Sequence, residues 1–286
     1  MHTSTSIDEG HDLKRVDEKN HQEALCFNNI SVKFGDYTAV LNTSFSVKAG
    51  EFVSVVGPTG CGKSTLLNIA AGLLNPSEGE IKIFGMPLDG GMSNQVGYLF
   101  QSEALMPWRT AIENIMVGLQ YRKVNKDQAT TLANHWLARV GLTGHGHRYP
   151  HQLSGGMRKR VSLAQTMILD PKIILMDEPF SALDVQTRQL MENELLDLWS
   201  ADKKSIMFIT HDLEEAIALS DRVIVLSAGP ETHPIAEFVI DLPRPRDMFE
   251  VRVTEQYIEY HKQIWAAMKK EVLKAYQYSK KGDSHD

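Results

Sequence analysis

Apolar positions in this 286-residue chain follow two different periods, and the two alternate along the sequence. Short apolar runs typical of buried strands occur at four places: 52–56 (FVSVV), 172–176 (KIILM), 205–210 (SIMFIT) and 222–226 (RVIVL). Between the later runs, residues 185–199 and 213–219 have the apolar spacing of one helix face. Strands separated by helices predict a parallel sheet covered on both faces.

Two regions depart from this alternation. The stretches 24–34 (ALCFNNISVKF) and 44–50 (SFSVKAG) contain β-branched and aromatic residues and are followed or closed by glycine, which predicts antiparallel strands. Residues from about 102 to 160 have helical spacing in AIENIMVGLQY and TTLANHWLARVGL, which predicts a helical insertion. The predicted fold class is therefore α/β, with a parallel sheet core, an antiparallel β subdomain and an inserted helical subdomain.

The two ends of the chain differ from its middle. Residues 1–22 are polar, with three Lys or Arg against five Asp or Glu, and we expect a disordered extension. The main domain is expected to span 23–245. After the breaker PRPRD, residues 246–286 predict an amphipathic helix and tail, with Tyr257 and Ile264 on one stripe. That stripe fits packing on the chain's own domain, or alternatively a partner.

Composition narrows the class of protein. The net charge is −6, which argues against a dedicated nucleic-acid binder. No run approaches the roughly 18 consecutive apolar residues that a membrane-spanning helix needs. The two cysteines, Cys26 and Cys61, cannot form a disulfide framework, and this suits a reducing compartment. We expect a cytoplasmic enzyme or binding subunit.

The strongest chemical signal lies directly after the first buried strand. Residues 57–65 read GPTGCGKST, which fits G-x-x-x-x-G-K-[ST] and leads into a helical stretch. Glycines allow backbone N–H groups to converge on phosphate oxygens at a helix start. Lys63 would supply charge to the β- and γ-phosphates, and Ser64 a hydroxyl ligand to Mg²⁺. The predicted nucleotide site comprises Gly57, Pro58, Thr59, Gly60, Cys61, Gly62, Lys63, Ser64 and Thr65.

An acidic pair, Asp177 and Glu178, ends the apolar strand at 172–176. Ligands of parallel sheets gather at the carboxyl ends of the strands, so the pair is expected to face the phosphate loop. We assign Asp177 to Mg²⁺ and Glu178 to activation of the attacking water.

A second glycine motif selects among the enzymes that share a phosphate loop. Ser154, Gly155 and Gly156 open a helical stretch, and its first N–H groups form a second anion site. The sequence also contains four further motifs: YLFQSEALMPW with Gln101, ILMDEP, SALD at 181–184 and ITHD at 209–212. In the order of all these motifs, the chain over about residues 24–228 resembles the ATP-binding cassette (ABC) ATPases.

The resemblance implies a P-loop NTPase fold with a RecA-like core, and ATP and Mg²⁺ as cofactors. It implies a head-to-tail dimer, with each ATP between the phosphate loop of one subunit and Ser154, Gly155 and Gly156 of the other. Four further roles follow from it: Gln101 contacts Mg²⁺ and the attacking water, Asp184 couples the two sites, His211 contacts the γ-phosphate, and Phe34 stacks on adenine.

The segment after Gln101, Met157 and DLPRPRD resemble importers of nitrate, sulfonate, taurine and related solutes. The resemblance implies the ATPase subunit of an importer for a small organic or oxyanion solute of the nitrate, sulfonate, taurine or pyrimidine type. The implied partners are a second ATPase subunit forming a homodimer, separate membrane permease subunits and, indirectly, an external solute-binding protein. The protein would lie peripherally at the cytoplasmic face of the inner membrane.

The alternative is a soluble ABC-class ATPase acting on nucleic acid. Such proteins usually carry two cassettes, long coiled coils or basic extensions, and none is visible in this sequence. We therefore expect no nucleic-acid partner.

Two features of the motifs leave alternatives open. Cys61 lies beside Lys63 and a helix start, which would lower the pKa of its thiol and favour alkylation, or it is a small residue that fills space. We assign it no catalytic role. The basic run Arg158, Lys159 and Arg160 is expected to be a solvated helix face, or alternatively a phosphate contact.

Overall fold

The computed structural model describes residues 22–282, so the predicted disordered extension lies outside the described residues except for its last position. The strands are β1 (Glu23–Phe34), β2 (Tyr37–Lys48), β3 (Phe52–Val56), β4 (Glu78–Ile83), β5 (Met86–Pro87), β6 (Val96–Leu99), β7 (Ile173–Asp177), β8 (Ser205–Ile209), β9 (Arg222–Leu226) and β10 (Pro234–Val239). The α-helices are α1 (Lys63–Ala70), α2 (Ala111–Tyr121), α3 (Lys126–Arg139), α4 (Gly155–Met167), α5 (Val185–Asp202), α6 (Leu213–Leu219) and α7 (Glu255–Gly282).

The strands form two sheets. A four-stranded antiparallel sheet has the order β2-β1-β4-β5, and a six-stranded sheet has the order β10-β9-β3-β8-β7-β6. The pairs among β9, β3, β8, β7 and β6 are parallel, whereas β10 runs antiparallel to β9. The predicted architecture of a parallel core with an antiparallel β subdomain is observed.

The parallel strands are apolar throughout because both faces of the sheet are covered. In β7, Ile173 and Leu175 face the core shared with α1 and the antiparallel sheet, while Ile174 and Met176 face the core shared with the other helices. Strand β8 divides in the same way, since successive side chains of a strand point to opposite faces. The continuous apolar runs in the sequence therefore reflect two cores on either side of one sheet.

Helices α2, α3 and α4 lie between β6 and β7 and form the predicted helical insertion. Helix α2 begins with a capping box, in which Glu113 N donates to Thr110 Oγ1 and Thr110 N donates to Glu113 Oε2. Helix α4 continues beyond residue 160, the predicted limit of the insertion, and ends at Met167.

Strands β6 and β10 are not among the predicted elements. Strand β6 (VGYL) is four residues long and contains a glycine, and β10 begins with a proline. Both lie at an edge of the six-stranded sheet, where few residues need to be buried. Their short or weak apolar patterns therefore gave no clear strand signal.

The C-terminal helix α7 packs on its own domain. Tyr257, Ile264 and Met268 are buried in the core that also contains α5 and α6. The segment before it is also tied down, because Arg246 is buried and donates to the carbonyl oxygens of Ala218 at 3.1 Å and Ser220 at 2.7 Å. Of the two alternatives for the amphipathic stripe, the structure favours packing on the chain's own domain.

Candidate functional site

The phosphate loop joins the buried strand β3 to helix α1. Gly60 and Gly62 have φ angles of +75° and +102°, which a side chain would strain, and Gly62 is the N-cap of α1. Lys63 is buried and its ammonium donates to the carbonyl oxygens of Gly57 at 3.0 Å and Pro58 at 2.9 Å. The loop thus curls around the lysine at the positive end of the helix.

Asp177, the last residue of β7, is held at the start of α1. Ser64 Oγ donates to its Oδ1 at 3.1 Å, and Tyr98 OH lies 3.4 Å from its Oδ2 and 3.3 Å from Asn68 Oδ1. Burial raises the pKa of Asp177, and the hydrogen bond from Ser64 opposes that rise. Burial, followed by the charge of Asp177, raises the pKa of Tyr98. Sequence reasoning missed both residues: Tyr98 begins the stretch YLFQSEALMPW, where only Gln101 was assigned a role, and Asn68 lies in the helix after the phosphate loop.

Glu178 is the meeting point of three segments. Its backbone has φ of +40°, a left-handed conformation that is unusual for a residue with a side chain and is often found at functional sites. Ile209 O accepts from Glu178 N at 2.9 Å, and Ser181 Oγ donates to Glu178 O at 2.9 Å. The Oε2 atom lies 2.9 Å from His211 Nδ1 and 3.5 Å from Gln101 Nε2. The structure therefore brings Gln101, Glu178 and His211 together, next to Asp177.

Ser154 and Asp184 cap two other helices that start close to each other. Met157 N donates to Ser154 Oγ at 3.3 Å, and Thr187 N donates to Asp184 Oδ1 at 3.0 Å. The hydrogen bond from Thr187 lowers the pKa of Asp184. Gly156 packs closely on α5, because a Cβ added there would lie 2.8 Å from Thr187 Cγ2. The capping bonds are made within α4 and α5 and do not involve the phosphate loop.

Phe34 lies at the end of β1, in the hairpin where it pairs with Tyr37. Its side chain is 51% exposed. The ring is therefore accessible for stacking, as the adenine assignment requires, and it is not part of the core.

Of the two alternatives for Cys61, the one with a lowered thiol pKa is not supported by the structure. The residue is only 2% exposed, and burial raises the pKa of its thiol, with the charge of Lys63 opposing that rise. Its carbonyl accepts a hydrogen bond from the hydroxyl of Thr232. Of the two interpretations, the structure favours the small residue that fills space.

The expectation that the basic run after the glycines is a solvated helix face is wrong for Lys159, whereas Arg158 and Arg160 are partly exposed. Lys159 is 2% exposed and donates to two main-chain carbonyls. Arg160 pairs with Glu194 at 2.5 Å, and Arg158 donates to Leu153 O at 2.9 Å. The sequence pattern could not show this, because three adjacent basic residues look the same whether or not α4 is covered.

Comparison with known proteins decides the family. A sequence profile described as "ABC transporter" matches residues 40–181. An uncharacterized ABC transporter ATP-binding protein of Methanocaldococcus jannaschii is 46% identical over 238 residues, covering 83% of this chain and 86% of the relative. The chain belongs to the ABC transporter family.

Two further relatives within this family have names that state a transport process. A taurine import ATP-binding protein of Yersinia pestis is 43% identical over 205 residues, covering 71% of this chain and 80% of the relative. An aliphatic sulfonates import ATP-binding protein of Bacillus thuringiensis is 42% identical over 226 residues, covering 77% and 88%.

Solved structures confirm the P-loop NTPase fold of this ABC protein. A dimeric ATP-binding cassette in a post-hydrolysis state, bound to ADP and Pi, is 31% identical with a TM-score of 0.68, and the match covers 77% of this chain and 100% of that one. The chain therefore carries an ABC ATPase domain that binds ATP, and its hydrolysis of ATP is coupled to transport.

Proposed function

We propose that this protein is the ATP-hydrolysing subunit of an importer for a small organic or oxyanion solute of the nitrate, sulfonate, taurine or pyrimidine type. The observation that carries the catalytic part is the Glu178 carboxylate, which lies against Gln101 and His211 at the carboxyl end of the parallel sheet. The relatives named for taurine and sulfonate import support the direction of transport and the class of solute.

We propose that Gln101 contacts a Mg²⁺ ion that is held by Ser64 and Asp177. Their oxygens lie 3.1 Å apart at the start of α1, and both are hard donors of the kind Mg²⁺ takes. Within the described part of the chain, no three His, Cys, Asp or Glu side chains cluster as a metal site. A site with few protein ligands suits Mg²⁺, which usually completes its shell with phosphate oxygens and water. The bound ion would neutralise charge on the phosphates.

Hydrolysis in this proposal depends on Glu178. The loop N–H groups and Lys63 bind the phosphates. The Glu178 carboxylate accepts a proton from the attacking water as the water oxygen bonds to the γ-phosphorus, and the bond from the γ-phosphorus to the bridging oxygen breaks, which releases ADP and phosphate. Since Nδ1 of His211 lies against Glu178 Oε2, the Nε2 atom is the one that can face the γ-phosphate. Gln101, whose Nε2 lies 3.5 Å from Glu178 Oε2, orients the same water. Phe34 stacks on the adenine ring.

The proposed unit is a homodimer. Helix α4 starts at Ser154, Gly155 and Gly156. The capping bond of Ser154 is made within α4 and does not involve the phosphate loop of the same chain. A second copy can use this helix start to contact the triphosphate from the opposite side, with Asp184 nearby to couple the two sites. The solved cassette that is dimeric and bound to ADP and Pi supports a dimer.

A permease is the proposed occupant of an apolar groove next to Gln101. The groove has a volume of about 290 Å³ and is lined by side chains of both the sheet core and the helical insertion, among them Leu73, Met92, Phe100 and Leu169. Leu73, Met92 and Phe100 are exposed apolar residues, which often mark an interface.

No helix within residues 22–282 is long and apolar enough to cross a membrane. We propose a peripheral position at the cytoplasmic face of the membrane, with an external solute-binding protein delivering the cargo.

The alternative function on nucleic acid is not favoured, because relatives that cover most of the chain are import proteins. Salt-sensitive binding to nucleic acid would favour it.

The test of the catalytic proposal is Glu178→Gln, which keeps the shape of the side chain and removes the base. ATP hydrolysis should fall by about 100-fold or more, while ATP binding persists. With ATP and Mg²⁺, the variant should elute from a size-exclusion column as a dimer. Glu80→Gln, an exposed carboxylate in the antiparallel sheet, is the control and should hydrolyse ATP normally. Normal turnover by Glu178→Gln would contradict the proposal.

A further inference from the structure

Lys159 is a buried lysine whose ammonium group donates hydrogen bonds to main-chain carbonyl oxygens. It lies in the second turn of α4 and is 2% exposed. Its Nζ donates to Gln101 O at 2.9 Å and to Phe100 O at 3.2 Å. Burial lowers the pKa of the ammonium, and the charge of Glu103 opposes that effect. Because a buried charge is stabilised only by close partners, these two carbonyls fix the position of the side chain.

The segment that Lys159 holds connects the catalytic site with the apolar groove. The amide of Gln101 lies 3.5 Å from Glu178 Oε2. Phe100 lines the groove and stacks on Tyr98, with ring centroids 4.2 Å apart. Tyr98 in turn lies within hydrogen-bond distance of Asp177. A displacement of this main chain would therefore move Gln101 relative to Glu178.

The helix that carries Lys159 also carries the other half of the proposed nucleotide site. Helix α4 begins at Gly155, directly after its cap Ser154. Lys159 follows Ser154 by five positions on the same rigid helix, so the helix start and the grip on Gln101 move together.

We propose that Lys159 is a positioning residue that locks the main chain of Phe100 and Gln101 to helix α4. Through this link, the contact of Ser154 with the nucleotide of a second copy sets the position of Gln101 in the catalytic site of Ser154's own chain. The inference rests on the proposed function, since it requires Gln101 to act in hydrolysis and α4 to contact a second nucleotide.

The test is a double-mutant cycle between Lys159→Met and Gln101→Ala in the full-length chain. Methionine keeps an unbranched side chain and removes the charge and the donors. Lys159→Met should lower kcat about tenfold, because charge-assisted hydrogen bonds are lost, and leave KM for ATP within about twofold. The hydrolysis rate of Lys159→Met should no longer depend cooperatively on ATP concentration. The doubly substituted protein should be no slower than Gln101→Ala, since Lys159 acts through Gln101.

The matched control is Arg160→Met. It removes the next basic side chain of α4, whose partner is Glu194 on α5 and not the Gln101 segment. The kcat and the cooperativity of Arg160→Met should stay near those of the unsubstituted protein. Its thermal unfolding midpoint shows how much stability is lost when a basic residue of α4 is removed. If Lys159→Met does not fold, Lys159→Gln replaces it in the same double-mutant cycle with Gln101→Ala.

The outcomes separate the two proposals. Effects on kcat that multiply in the double variant would overturn the positioning role of Lys159 and leave the proposed function intact. A fall in kcat for Arg160→Met equal to that of Lys159→Met would likewise overturn it. Normal hydrolysis by Gln101→Ala would refute the role of Gln101 in the proposed function, and the inference about Lys159 with it.

Discussion

Replacing Glu192 by glutamine should change how stability depends on pH. Glu192 lies on α5 with 0% of its surface exposed, and its Oε2 is 2.8 Å from Arg252 Nη2. Burial raises the pKa of the carboxyl from 4.5 to about 8, against the opposing charge of Arg252. The folded chain therefore keeps a proton on Glu192 over a pH range in which the unfolded chain releases it.

The sign follows from this difference in proton binding. Below about pH 4.5, both states are protonated and the stability from this group is fully present. As the pH rises towards about 8, the unfolded state loses its proton first, and the free energy of unfolding falls. At about 1.4 kcal/mol for each pH unit, the loss across this range reaches at most about 5 kcal/mol. Glutamine cannot titrate, so Glu192→Gln lacks this loss.

The assay is urea unfolding followed by tryptophan fluorescence at several pH values across this range. The quantity to compare is the free energy of unfolding of Glu192→Gln minus that of the unsubstituted protein. This difference should rise by several kcal/mol from the acidic to the alkaline end of the range. Glu214→Gln is the control, because Glu214 is the exposed second partner of Arg252, and it should not alter the pH slope. Parallel pH profiles for the unsubstituted protein and Glu192→Gln would refute the reasoning and show that Arg252 keeps Glu192 charged.

Two further predictions concern Cys61 and the apolar groove. Iodoacetamide should modify the buried Cys61 at least about tenfold more slowly than the partly exposed Cys26, as measured by mass spectrometry of the alkylated peptides. Equal rates would contradict its burial. Met92→Glu places a charge in the groove and should prevent co-purification with the proposed permease, while ATP hydrolysis by the isolated subunit stays within about twofold. Unchanged co-purification would argue against this docking site.

Much of this protein was determined by local sequence patterns. Apolar runs such as the one at 172–176 predicted strands covered on both faces, and the glycines before Lys63 predicted the loop at the start of α1. The rule that ligands meet the carboxyl ends of parallel strands placed Asp177 beside Ser64, as the structure has it. The strands and the loop depend on neighbours in the chain, whereas Asp177 and Ser64 are 113 positions apart and were placed together by the general rule for parallel sheets.

Other features were decided only by the tertiary structure. Lys159 looked like a solvated residue and is buried on the carbonyls of Phe100 and Gln101, 58 or more positions away in the sequence. The charge of Lys63 suggested a low pKa for Cys61, but burial has the larger effect and raises it. Burial and pairing depend on which distant segments pack together, and a single sequence does not record those contacts. The short edge strand β6 and the packing of α7 were open in the sequence for the same physical reason.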